Sequence, residues 1–291
     1  MAFVTFKAEN RTSYGVITTD GVFDLGLRLG TALPDLKSFL TAQGLGILGN
    51  VPKATITDYA VGQFTYAPVI PNPPKILCVG LNYDEHRRET GRPETEHPSI
   101  FTRFPDTLVG HQSPILLPMN SSALDYEGEL AVVIGKSGFR VPEDNALSLV
   151  AGYSVFNDAS LRDWQRHTHQ FTPGKNFPNT GAFGPVLIPS EEAGPLADKR
   201  IETRLNGTVM QSAKLGDMIF SVSRIIAYLS GFTRLSPGDI IATGTPGGVG
   251  FKRDPQVFMR QGDRVDVTVE GIGTLNNTIE LEVSAPDNVR Y

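Results

Sequence analysis

The chain has 291 residues, 40% hydrophobic and 20% charged, with 26 Lys and Arg against 31 Asp and Glu and a net charge of −5. That is ordinary globular composition, long enough for one large domain or for a large domain plus a small one. The acidic balance excludes nucleic-acid binding through a global positive field, and no Lys/Arg block supplies a basic tail.

Residues 3–7 and 14–18 alternate like strands, and Asp20-Gly21 reads as a hairpin turn into residues 22–25. The first residues lack the charged and apolar regions of a signal peptide, and nothing reaches the length of a membrane span, so no membrane partner is expected. Residues 33–40 carry a short helical pattern. The proline-bearing stretch 66–74 reads as a linker. It divides the chain into a small β-rich N-terminal domain, 1–70, and a main domain, 71–291. The main domain opens with a strand at 75–79. Its Cys78 is the chain's one cysteine, which excludes an intrachain disulfide and favours a cytoplasmic home; the apolar setting marks an inert, buried thiol. A short helix follows, with Asn82 or Asp84 as its cap. On it His86 and Glu89 are three apart and therefore neighbours on one face. Residues 90–97 read as a polar, mobile loop, and 101–104 and 115–117 as short strands.

The stretch Asp125-Tyr126-Glu127-Gly128-Glu129-Leu130 runs into the β-branched strand Ala131-Val132-Val133-Ile134. Strand alternation puts Glu127, Glu129, Ala131 and Val133 on one face, and Tyr126, Leu130, Val132 and Ile134 on the other. Two carboxylates ~4 Å apart at an effective dielectric of about 20 repel by roughly 4 kcal/mol. A hard divalent cation with oxygen ligands would offset that cost. By themselves the two acids fit a solvated edge strand with both carboxylates exposed better than a metal site.

Further on, an apolar run ends at Asp158, which reads as the N-cap of a helix placing Arg162 and Gln165 on the same face as Asp158. His167 and His169 alternate, but no zinc-site motif accompanies them. Lys175 follows a turn, ordinarily an exposed setting. From residue 201 the pattern is strand-rich, with a hairpin at Asn206-Gly207. Val222, Ile225, Ile226 and Leu229 keep helical spacing. A turn at 236–239 leads to a strand at 240–242 and then to the glycine-rich run 243–250, whose N–H groups are placed to face a ligand oxyanion. That run lacks the ending of a phosphate loop. Strands at 264–269 and 273–283 follow.

Four motifs occur in order: Gly80-Leu81-Asn82-Tyr83-x-x-His86-x-x-Glu89; Asp125-Tyr126-Glu127-x-Glu129-Leu130; Asn157-Asp158-x-x-x-Arg162-Asp163-x-Gln165; and Gly244-Thr245-Pro246-x-Gly248-Val249-Gly250. With Gly174-Lys175, the set closely resembles the fumarylacetoacetate hydrolase family over roughly residues 74–285. The resemblance implies an α+β, mostly β fold: a mixed β-roll or sandwich with flanking helices, usually in a homodimer. It implies Mg²⁺ or Mn²⁺, with Ca²⁺ a further candidate, held by Glu127, Glu129 and Asp158, and no organic cofactor. His86 and Glu89 match a catalytic dyad, with Lys175 beside them. Arg162, Gln165 and Thr245 match substrate contacts, and Arg103 stands where many members have lysine, so it is expected to read a different substrate group. The implied activity is hydrolysis of a C–C bond in an acylpyruvate or related keto acid through a metal-bound enolate, in catabolism of aromatic compounds or sugar acids. Oxaloacetate-type decarboxylation, hydroxymuconate-type isomerisation or hydration on the same scaffold are alternatives. A non-catalytic ligand-binding member is a third.

Overall fold

The computed structural model of the chain describes residues 1–43 and 57–283. At its centre two β-branched runs, Gly128–Ile134 and Val150–Asp158, pair antiparallel, with Gly128 opposite Asn157. The sheet around them runs from Tyr59–Ala60 through Gly21–Asp24, Arg11–Ile17, Ala2–Ala8, Gly181–Pro189, Val150–Asp158, Gly128–Ile134, Ile240–Ala242 and Ile76–Gly80 to Ser99–Arg103. Along that path only Ile240–Ala242 and Ile76–Gly80 are parallel. A second sheet orders Thr208–Lys214, Arg200–Leu205, Arg264–Val269, Gly273–Leu281 and Ile115–Leu117.

The second sheet covers one face of the central strands. Leu130, Val132 and Ile134 share a core there with Val265, Val267 and Leu275. On the opposite face Ala131 and Val133 join Phe3, Phe156 and Phe183, closed over by Leu36, Phe39 and Leu40 of the Leu36–Gln43 helix. The alternation expected from the sequence holds, and both faces of the strand are buried. With each such aliphatic side chain contributing about 1.5–3 kcal/mol, this doubly covered strand anchors the molecule. The fold is α+β and mostly β, as expected.

Local signals place the turns. Asn206 and Gly207 take φ of 50° and 82° between Leu205 and its partner Thr208, the left-handed pair that a two-residue hairpin requires. Val222–Phe232 is a helix capped by the Ser221 hydroxyl, which accepts from Arg224 N, and it buries the four apolar residues named above. Two expectations shift. The first longer helix starts at Leu36, after Asp35, whose carboxylate accepts from Ser38 N at 2.7 Å. Stretch 66–74 has little regular structure, yet Ala67, Val69 and Ile70 are buried and Thr5 Oγ1 donates to the Val69 carbonyl at 2.7 Å. It is packed into the core instead of crossing solvent. The strand Ala2–Ala8 bonds to Gly181–Pro189, so the N-terminal strands continue the central sheet. Among the described residues no helix is long and apolar enough to cross a membrane.

Candidate active site

Glu127 immediately precedes the strand Gly128–Ile134, Glu129 is that strand's second residue, and Asp158 ends the neighbouring strand. All three are buried, and one oxygen of each lies within 4.8 Å of the others. Asp158 is not a helix N-cap. The backbone stays extended past it because Ser160–Leu161 pairs with Leu124–Asp125. The helical turn Arg162–Gln165 begins later, with Leu161 at its N-cap position and no side-chain cap bond. The sharp register between the two central strands, not a helix face, brings Asp158 to the two glutamates.

Three buried cations surround the cluster. Lys175 is 1% exposed, at the end of Thr172–Lys175, and its Nζ donates to Glu127 Oε2 at 2.7 Å and to Asp158 Oδ2. Arg162 Nη1 lies 2.7 Å from Glu127 Oε1, and its Nε donates to Asp125 Oδ2 at 2.8 Å; it does not pair with Asp158. Arg103 Nη1 donates to Asp158 Oδ1 at 2.6 Å and to the Ala159 carbonyl, while Nη2 reaches Thr180 Oγ1. Glu129 accepts from Gly244 N at 2.8 Å, and among the described residues it has no Lys or Arg partner. Burial raises the Glu127 carboxyl, but Lys175 and Arg162 outweigh it and hold it down at about 2. Burial, with Asp158 and Glu127 adding like charge, pushes Glu129 well above the usual carboxylate range. Burial would lower the Lys175 ammonium, yet Asp158 and Glu127 raise it, so it stays charged.

Four buried carboxylates, counting Asp125, thus face three buried cations, and Glu129 is the one left over. The acidic triad could hold a divalent ion: its donors are hard oxygens, and added positive charge would relieve Glu129. Lys175 would share two of the three carboxylates with that ion.

On the short helix Asp84–Glu89, His86 Nδ1 and Glu89 Oε1 are 2.7 Å apart. Neither expected cap serves. Asn82 bonds instead to Phe220 and to the Thr243 carbonyl, and Asp84 pairs with Arg87. Glu89 Oε2 accepts from Gly248 N at 3.0 Å. Three N–H groups of the glycine-rich run, and that of Phe251 just after it, turn to protein carboxylates: Gly244 to Glu129, Gly248 to Glu89, and Gly250 and Phe251 to Asp125. Asp125, in a quoted motif but assigned no role there, anchors Arg162 to this run.

A cavity of about 440 Å³ opens above the cluster, lined by His86, Glu127, Glu129, Arg162, Lys175 and Thr245 among others. Gln165 lines it too, accepting from Arg162 Nη1 at 2.8 Å. Arg162 Nη2 is buried without a protein partner, a donor left over for a ligand. Exposed His167 and His169 sit at the rim. Arg103 does not line the cavity. Its guanidinium is spent on Asp158, Ala159 and Thr180 behind the cluster, which leaves nothing to read a substrate group, so the expectation for it is corrected. Sequence reasoning also missed Gln211, which donates to Thr245 Oγ1 at 2.7 Å from the other sheet.

Residues 75–280 match the family model described as fumarylacetoacetate (FAA) hydrolase C-terminal. The chain is 44% identical over 225 residues to the oxaloacetate tautomerase YisK of Bacillus subtilis (strain 168), covering 76% of this chain and 75% of that protein. It is 39% identical over 264 residues to the mitochondrial oxaloacetate tautomerase FAHD2A of Bos taurus, covering 89% and 84%. The solved fumarylacetoacetate hydrolase from the psychrophilic Exiguobacterium antarcticum superposes with a TM-score of 0.82 at 33% identity, over 97% of this chain and 100% of that one. With most of its length matched, the chain belongs to the fumarylacetoacetate hydrolase family.

Proposed function

We propose that the protein interconverts the keto and enol forms of a 2-oxo acid of the oxaloacetate type, with Glu127, Glu129 and Asp158 holding Mg²⁺ or Mn²⁺. The observation that carries this reading is His86, in the wall of a cavity that Glu127 and Glu129 also line, with its Nδ1 2.7 Å from Glu89 Oε1. Two relatives named oxaloacetate tautomerases support it over the C–C hydrolysis that the motifs first suggested. Bound at the cluster, the ion would supply Lewis-acid charge to the oxygens of the keto acid.

The chain's own groups do the rest. Glu89 accepts from Nδ1–H, which fixes the imidazole tautomer and leaves Nε2 with the lone pair of a general base. Nε2 takes a proton from the carbon next to the keto group and delivers it to the enol oxygen, so no proton is gained or lost overall. The Lys175 ammonium lies beside the reacting oxygens and stabilises enolate charge as it develops. Arg162 Nη2, otherwise unpaired, donates to the substrate carboxylate.

Hydrolysis of an acylpyruvate remains the second reading. A relative solved as a fumarylacetoacetate hydrolase and a cavity with room beyond a four-carbon acid favour it, with His86 then taking its proton from water. The test follows the decay of enol-oxaloacetate absorbance with Mg²⁺ or Mn²⁺, with and without chelator, while pyruvate release and acylpyruvate cleavage are measured in parallel. The reading expects metal-dependent enol decay without carbon dioxide release. A His86→Ala variant should lose about 10²–10⁴-fold in rate and keep its Mn²⁺ affinity. Decay at the uncatalysed rate in both metals would refute tautomerisation, and acylpyruvate cleavage alongside it would install the second reading.

A further inference from the structure

Gln211 comes from the edge strand Thr208–Lys214 of the second sheet, yet it is 1% exposed and every polar atom of its side chain is engaged. Oε1 accepts from Gly128 N at 3.0 Å. Nε2 donates to Thr245 Oγ1 at 2.7 Å and to the Pro246 carbonyl at 2.8 Å. Thr245 Oγ1 in turn donates to the Gly128 carbonyl at 3.0 Å. The residue between Glu127 and Glu129 is therefore gripped at both its N–H and its C=O. Residue 128 must be glycine, because a Cβ there would lie 2.1 Å from Thr203 Oγ1. The grip closes through the same glycine-rich run that holds Glu129 at Gly244 N and Glu89 at Gly248 N.

We propose that Gln211 is a positioning residue that fixes the Glu127–Glu129 spacing and so sets the affinity of the carboxylate cluster for a divalent cation. This rests on the reading of that cluster as the metal site. A glutamine that merely satisfied buried backbone would lower stability and leave ion affinity in the folded protein alone. A residue holding the ligands in register changes that affinity, because partners behind metal ligands are typically worth 10–100-fold in binding.

The experiment titrates Mn²⁺ into the full-length protein, following free Mn²⁺ by electron paramagnetic resonance, for wild type, Gln211→Met, Thr245→Val and the double variant. Near-UV circular dichroism certifies the fold of each. Gln211→Met should bind Mn²⁺ about 10–100-fold more weakly, and saturating Mn²⁺ should restore turnover. Because the two side chains form one clamp, the double variant should lose little beyond the weaker single, instead of the product of the two. Folded Gln211→Met with wild-type affinity, or losses that multiply, would overturn the proposal. Should Gln211→Met not fold, unchanged affinity in Thr245→Val does so from the clamp's other end. A wild-type protein that takes up no Mn²⁺ refutes the metal reading itself, a result separable from these.

Discussion

Asp125 and Glu129 lie four residues apart and are both fully buried carboxylates, yet their surroundings are opposite. Asp125 accepts from Arg162 Nε and from the backbone N–H groups of Tyr126, Gly250 and Phe251. Burial raises its carboxyl above the usual value, and Arg162 and the Phe251 N–H offset only part of that rise. Glu129 has one backbone donor and faces Asp158 and Glu127. A buried charge whose partners are built in is scaffold. One that looks at two like charges holds repulsion that an arriving cation removes. Two buried carboxylates at nearly the same depth thus differ in their charge environment, one compensated by a guanidinium and the other facing like charge.

The contrast can be broken most decisively at Asp125. Asp125→Asn takes from the Arg162 guanidinium one of its two carboxylate partners, leaving Glu127, and weakens the acceptor of three backbone N–H groups; the loss should be about 2–3 kcal/mol of unfolding free energy, read from the shift in urea midpoint. A loss under about 1 kcal/mol would place Asp125 in the ordinary run of substitutions and erase the distinction.

Glu129→Gln should act the other way in the metal-free protein. It removes the repulsion and adds stability on the order of 1 kcal/mol at pH 8, while abolishing Mn²⁺ binding. Because the folded protein raises the Glu129 carboxyl, it holds that proton more tightly than the unfolded chain. The wild type in chelator should therefore lose stability as pH climbs from the ordinary glutamate value through the raised one. Parallel pH slopes for wild type and variant would count against this.

The smallest effect calibrates the other two. Burial pushes His111, set edge-on to Tyr66 at 4.7 Å, down to about 4 from an ordinary 6.5. In this case the unfolded chain binds the proton better, so stability falls as pH drops between those values. Allowing for partial exposure, the loss by pH 5 should be about 1 kcal/mol and absent in His111→Gln, as denaturation at pH 7 and pH 5 would reveal.

Much of this was legible in residue order, for identifiable reasons. Asn206-Gly207 and the spacing of Val222, Ile225, Ile226 and Leu229 are local signals, and local chemistry decides those elements. The period-2 rule sorted the two faces of the central strand correctly. Asp158 misled because a serine, an arginine and a tryptophan after it look like a helix start, whereas pairing of Ser160–Leu161 with Leu124–Asp125 keeps the chain extended. Arg103 misled because its partner Asp158 is 55 residues away. Gln211 was invisible: its partners lie 83 and 34 residues off and belong to another layer, so nothing nearby in sequence announces its task.

The strand carrying Glu129 lies between Val150–Asp158, its near neighbour in the chain, and Ile240–Ala242, about a hundred residues later. Gly244 and Phe251, which tether Glu129 and Asp125, come later still. On a translating ribosome a nascent chain arrested between Asp158 and Gly244 would carry all three acids without the backbone N–H that holds Glu129. Were the cluster to hold an ion as proposed, its uptake would date from the synthesis of the glycine-rich run, and a metal signal timed against chain length would act as a clock for that stage of maturation.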